Sequence, residues 1–281
     1  MAFYPSRRDT DIVLTSMMAA AKRRTFAIHK RGGLVVWSGE SHVGKTTTAE
    51  WLEREINDRY DPENKDAFCA THFEVAEMGR RSGGHTKKAL RTLYHRTLGR
   101  LDEGTYRSER PEDLAQLIIH GLKLRRREMI FVDEAGLYSP EALRALVLVS
   151  DWAKKLGFRL TLVLIGMDNL ERSIRQIVQI DRRVGDWICF ETPSEEETFQ
   201  MLRLYSPLFE DRDPEDEETA ELVKWIHDRH SGLPGSIMHF MDRVESKIGK
   251  RTLNLRFLNV VYQITSKDRA RIRKVMKGGG S

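Results

Sequence analysis

A chain of 281 residues, 40% hydrophobic and 32% charged, has room for one large core and a smaller appendage. Its longest apolar run, Leu160 to Met167, is eight residues, which excludes a transmembrane helix or the apolar region of a signal peptide and predicts a cytoplasmic protein without a membrane partner. Two cysteines, Cys69 and Cys189, exclude a disulfide scaffold and a thiolate zinc site; each sits in an apolar β-like run and is expected as a buried free thiol.

The net charge of +5 hides an asymmetry. Residues 209–221 carry eight acids and one arginine, so the rest of the chain stands at +12. Three runs concentrate that excess: 1–31 with seven bases against two acids, 78–110 with nine against three, and 265–277 with six against one. Such runs beside a separate acidic block point to a polyanionic partner, most simply nucleic acid.

In chain order, a helix is predicted over 11–24, capped by Thr10 or Asp11, with Ile12, Leu14, Met17, Met18 and Ala21 on one face. Leu34–Trp37 reads as a buried strand and Lys45–Tyr60 as a helix. Ala67–Val75 is a second strand, Ser82-Gly83-Gly84 a loop, and Thr86–Leu98 and Pro111–Leu124 are helices. The bases of 123–127 are expected at a helix end beside the sheet. Glu128–Val132 is a third strand, Pro140–Leu156 a long helix, Leu160–Ile165 a fourth strand and Trp187–Phe190 a weaker fifth. Strands alternating with helices predict an α/β fold with a parallel sheet covered on both faces. Beyond Pro193 the strand signal ends, and 194–205, 216–230 and 234–248 read as helices of a small lid. The expected division is a lead-in over 1–31, a core over 32–192, a lid and basic segment over 193–276, and a linker remnant over 277–281.

Gly39-Glu40-Ser41-His42-Val43-Gly44-Lys45-Thr46 matches G-x-x-x-x-G-K-[ST] between a strand and a helix. The glycines let successive backbone N–H groups converge on an anion, and the helix adds its positive end. Lys45 is expected to reach the β- and γ-phosphates and Thr46 to ligate Mg²⁺, with Thr47 completing the nucleotide contacts. The strand ending in Asp133-Glu134 supplies a Mg²⁺ carboxylate, Asp133, and a base for the attacking water, Glu134. That adjacency, and the lack of an Asn-Lys-x-Asp guanine reader, favour ATP over GTP. Gly84 stands 49 residues before Asp133, so Ser82-Gly83-Gly84 is not a transporter-ATPase signature.

The order of these motifs resembles a AAA+ ATPase: a P-loop NTPase core with a five-stranded parallel sheet between helices, plus a C-terminal helical lid. More narrowly, Phe131–Ala135, Leu164–Leu170, Ile174–Arg183, Ile188–Phe190 and Ser231–Ile237 resemble the transposition regulators TnsC and TniB, relatives of MuB, over roughly 12–250. The resemblance implies a water-positioning sensor near Met167, where only Asp168 or Asn169 has the chemistry. It implies an arginine finger acting on a neighbouring subunit, for which Arg182 and Arg183, following an expected helix over 171–180, match. It implies a lid sensor at Ser236, where the family's arginine is missing, in keeping with a slow ATPase used as an assembly switch.

The resemblance also implies a ring or helical filament around duplex DNA, held without base reading. The matching positions are Arg80, Arg81, His85, Lys87 and Lys88, with Thr105 and Arg107 in a second loop; Lys87 and Arg91 share a helix edge. Its partners would be a DDE transposase and a target-selection protein such as TniQ or a CRISPR effector, with 265–277 as a docking segment. A helicase or replication loader of the IstB/DnaC kind and an ATP-dependent signalling or defence switch are the alternatives. With about 31 residues ahead of the first strand, a loader's separate partner domain is not expected.

Overall fold

Five runs of the chain pair into one parallel sheet in the order β2-β3-β4-β1-β5. The strands are β1 (Gly33–Ser38), β2 (Cys69–Glu74), β3 (Arg127–Asp133), β4 (Thr161–Ile165) and β5 (Val184–Cys189). The structure, a computed structural model, describes residues 12–75, 85–99, 110–249 and 251–264. It divides into a unit of Met17–Glu191 and a second unit of Thr192 onward together with the residues up to Ser16. β1 and β4 are buried at every position, which is why they read as unbroken apolar runs.

Helices α1 (Ser16–His29), α2 (Lys45–Asp58), α3 (His85–Leu98), α4 (Pro111–Leu124), α5 (Pro140–Lys155), α6 (Asp168–Arg175) and α7 (Val178–Asp181) surround the sheet. The two-residue period of each strand sorts its side chains between two layers. Leu34, Val36, Ile130, Val132, Leu162 and Leu164 share one core with the buried faces of α3, α4 and α5. On the opposite face Trp37 meets Phe131 and Phe190, with ring centroids 5.6 and 5.2 Å apart, and donates from Nε1 to Thr25 of α1 at 3.2 Å.

Starts and stops follow local chemistry. Pro111 and Pro140 open α4 and α5 at a position where a missing N–H costs nothing, and Ser139 accepts from the Ala142 N–H at 3.3 Å. The second unit holds α8 (Glu195–Tyr205), α9 (Glu217–Arg229), α10 (Pro234–Ile248) and a further helical segment at 255–264, beyond the three helices expected for the lid. Phe199, Leu202, Leu222, Ile226, Phe240 and Leu258 belong to its own core.

Four expectations need correction. The first helix lies five residues later than 11–24, and its buried stripe is Met18, Ala21, Thr25, Ile28 and His29, while Leu14 is 52% exposed. Its expected cap lies outside the described residues. The helix expected at 171–180 is broken at Gln176–Ile177 into α6 and α7. β5 begins three residues before Trp187. Finally, Cys69 is half-buried and Cys189 exposed, both free, because β2 and β5 are the edge strands and the two cysteines stand at strand ends.

Candidate functional site

Every strand of a parallel sheet points its C-terminal end at the same edge, and the two motifs meet there. Gly39 leaves β1 at φ +144°, and a Cβ at this position would stand 2.7 Å from the Phe190 carbonyl oxygen. Only glycine lets the loop pass so close to β5. His42 (φ +70°) and Gly44 (φ +96°) also take left-handed conformations, which turns the chain tightly around Glu40–Val43 before α2 begins at Lys45. Thr48 of α2 donates to the Gly44 carbonyl at 2.7 Å, tying the helix start to the loop, and Thr47 follows Thr46 in the first turn.

Lys45 is buried at 8% exposure, and its Nζ donates to the Gly39 and Glu40 carbonyls at 2.9 and 2.6 Å. Burial draws its ammonium pKa below the ordinary value, against the upward pull of Asp133, Glu134 and Asp168. Thr46 donates from Oγ1 to Asp133 Oδ2 at 2.6 Å, so one residue of each motif is already in contact. Burial pushes the Asp133 carboxyl up, but hydrogen bonds from His72, Thr46 and the Glu134 N–H outweigh it and hold it below the usual value. The neighbouring Glu134 is shifted up by burial and then by the charge of Asp133, and it adopts a left-handed φ of +53°. Two adjacent carboxylates are thus driven apart in acidity by their surroundings.

These residues fit a nucleotide with Mg²⁺. Mg²⁺ in such loops takes one or two protein oxygens and fills its remaining positions with phosphate and water. Thr46 Oγ1 and Asp133 Oδ2 are hard oxygens already side by side, and the glycine-lined turn with its buried ammonium suits the phosphates.

The other predicted positions scatter. Met167 caps α6 and is 47% exposed, while a Cβ at Gly136, two residues after Glu134, would meet Asn169 Oδ1 at 3.1 Å. Asn169 therefore lies against Gly136, just past the Asp-Glu motif, and Asp168 acts electrostatically on Lys45. Arg183 donates from Nε to Asp151 at 3.0 Å within its own chain, whereas Arg182 is exposed with no side-chain partner among the described residues. Ser236 lies in the second unit, at 2.9 Å from His230 Nδ1. On α3, Lys88 is exposed, Lys87 half-buried, and Arg91 donates to His95 at 3.2 Å; His85 is the first residue of that helix. Arg80, Arg81, Thr105 and Arg107 lie outside the described residues, as do Ser82–Gly84 and 265–277.

Two groups escaped the sequence reading. His72 of β2 approaches Asp133 Oδ2 at 3.4 Å; burial lowers its pKa, and the contact with Asp133 more than reverses this. Ser38, last in β1, donates to Glu171 of α6 at 3.0 Å, and Glu171 accepts from Arg175, whose guanidinium stacks on Trp187 at 4.3 Å. A polar residue at alternating spacing in β2 was the one available signal for His72.

A comparison with curated proteins gives no significant match. Among solved structures the chain is similar to the Aeropyrum pernix ORC2 protein in its ADPNP–ADP complexes, with a TM-score of 0.63 and 15% identity over 92% of this chain and 69% of that one. It is similar to the Aeropyrum pernix ORC1 protein in complex with DNA (TM-score 0.59, 15% identity, 93% of this chain and 69% of that one). The Drosophila ORC bound to DNA gives 0.56 and 14%, over 93% and 68%. At such identities the likeness is one of fold. A family model described as AAA domain matches residues 28–174, over half of the chain, from the end of α1 through both motifs to α6. The chain therefore belongs to the AAA domain family, the P-loop nucleotide-hydrolysing class on this α/β fold.

Proposed function

We propose that this protein is an ATP-dependent, DNA-binding AAA+ regulator of transposition, akin to TnsC and TniB. It would assemble on duplex DNA as a ring or filament, mark the target and recruit a DDE transposase. The observation that carries the ATPase reading is the contact of Thr46 with Asp133 at 2.6 Å beside buried Lys45. Bound ATP would be held by the loop N–H groups and Lys45, with Mg²⁺ on Thr46 and Asp133 neutralising phosphate charge. Water attacks the γ-phosphorus, the bond to the β-phosphate oxygen breaks, and Glu134 accepts the proton; its raised pKa makes it a stronger base than an ordinary glutamate. Asn169, which lies against Gly136, would orient that water.

The DNA reading is supported by the basic run of 78–110 and by the fold likeness to proteins solved with DNA. Transposition rests on the resemblance of the 160–190 and 231–237 stretches. A fold likeness to domain III of the Thermotoga maritima replication initiation protein DnaA (TM-score 0.50, 12% identity, 90% of this chain and 93% of that one) favours a second reading, a replication loader or initiator. Electron microscopy with ATP and duplex DNA separates them: continuous filaments support the regulator, and discrete hexamers on a helicase support the loader. A signalling switch would show no DNA-dependent assembly. Lys45→Ala is expected to abolish ATP binding and DNA retention together; a variant that still coats DNA in an ATP-dependent way defeats the proposal. Glu134→Gln is expected to keep ATP, slow hydrolysis about 100-fold or more and lengthen filament lifetime.

A further inference from the structure

The end of the sheet opposite the nucleotide motifs carries a surface that, apart from the candidate finger Arg182, the proposed function does not use. Register sets it out: Gly33 and Met129 both pair with Thr161, and Leu34 pairs with Val184, so the segments leading into β3, β4, β1 and β5 lie side by side. Strands about 4.8 Å apart make this pole about 15 Å wide. Lys123 and Arg125 lead into β3, Lys154 and Lys155 into β4, Lys30 and Arg31 into β1, and Arg182 into β5; all seven are exposed. None has an ion-pair partner among the described residues. The nearby acids Glu128 and Asp151 are already paired with Arg159 and Arg183; half-buried Asp181, and exposed Asp61, Glu63 and Asp66 on the segment into β2 that Arg126 holds by the Asn64 and Lys65 carbonyls, offset part of the seven. Helices α1, α4, α5 and α7 end here, and their negative ends explain why cations are tolerated. They do not explain two apolar side chains among the cations: Leu124, 72% exposed between Lys123 and Arg125, and Leu156, 46% exposed after Lys155. A phosphate backbone offers nothing to those leucines, whereas a protein surface does.

The complementary surface is on the same chain. All eight acids of 210–221 are exposed, and the block's one base is turned inward, Arg212 donating to the Leu208 and Leu253 carbonyls at 3.2 Å and to Thr219 at 3.3 Å. The ridge therefore presents a strong excess of negative charge, with Pro214 and half-buried Leu208 as its apolar contribution. We infer that the acidic ridge of one copy seats on the basic pole of a second copy, a head-to-tail contact that needs neither nucleotide nor DNA. It adds an interface to the proposed assembly without depending on ATP. The two surfaces differ in charge, so the contact is heterologous.

Sedimentation velocity without nucleotide or DNA tests this on the full chain. Wild type is expected to self-associate with increasing concentration, and to do so less as salt screens the contact. Arg125→Glu/Lys154→Glu at the pole, or Glu210→Lys/Asp211→Lys/Glu215→Lys on the ridge, is expected to weaken association about tenfold or more. A mixture of the two variants is expected to associate again, the unchanged ridge meeting the unchanged pole and the reversed ridge the reversed pole, and so is a chain carrying all five changes. Lys45→Ala should associate like wild type, which separates this interface from the ATP reading. Association absent in wild type, or unchanged by either reversal, overturns the inference. So does a pole reversal that removes duplex binding while leaving association intact, since the pole would then be a DNA surface.

Discussion

At the level of single residues, burial decides what a side chain does more than its identity. Asp133 and Glu134 are adjacent in sequence, yet only Asp133 is buried and held by three hydrogen bonds, so the two carboxyls shift in opposite directions. His29 shows the same rule away from the site. It is 4% exposed, its Nδ1 lies 3.0 Å from Thr161 Oγ1, and Phe68 packs on its ring at 4.1 Å. Glu128 stands 3.6 Å from Nε2, but its carboxylate is engaged by Arg159 at 2.6 Å. Burial, and then the Arg159 charge, lower its pKa from 6.5 to about 4. The folded state therefore resists a proton that the unfolded chain takes up near 6.5. Its stabilising effect is complete above that pH and is lost as the pH falls towards 4, by on the order of 3 kcal/mol. Urea melts between pH 7 and 4 should show this loss in wild type and less of it in His29→Gln; parallel pH profiles would remove His29 as the cause.

Among the elements, helices with a clean apolar stripe and a start signal were legible, and those whose stripe includes polar groups were not. Pro111 and Pro140 at the first helical position, with apolar residues every three or four, mark α4 and α5 to within one residue. In α1 the buried stripe includes Thr25 and His29, which are tolerated because Trp37 and Thr161 bond to them across the sheet. No local pattern announces those partners. In one continuous helix Ile180 would lie about 80° round from the Leu170–Ile174–Ile177 stripe. The break between α6 and α7 lets both Ile177 and Ile180 reach the core. α8 shows how a start signal acts: Ser194 Oγ accepts from the Glu197 N–H at 3.1 Å, and the Ser194 N–H donates to the Glu197 carboxylate at 3.0 Å. Ser194→Ala is expected to lower stability by about 1 kcal/mol, read from the urea midpoint. An unchanged midpoint would show that packing alone holds the helix start.

Across the whole molecule, charge is the organising quantity. If Lys87 and Lys88 each neutralise a phosphate, the affinity for duplex DNA should fall with salt at a log–log slope of about −0.9 per contact. Lys87→Gln/Lys88→Gln should then reduce that slope by about two, and a slope that does not move would take α3 off the DNA. The sequence by itself determined the strand order along the chain, the glycine-rich loop and the Asp-Glu strand end, because each is a local pattern imposed by backbone conformation or by one-dimensional periodicity. Only the tertiary structure decided which side chains meet: His72 on Asp133, Ser38 on Glu171, Arg183 on Asp151. It also decided that bases scattered from Lys30 to Arg182 gather at one pole. Those are contacts between segments far apart in the chain, set by sheet order and register, and no spacing within a segment encodes them.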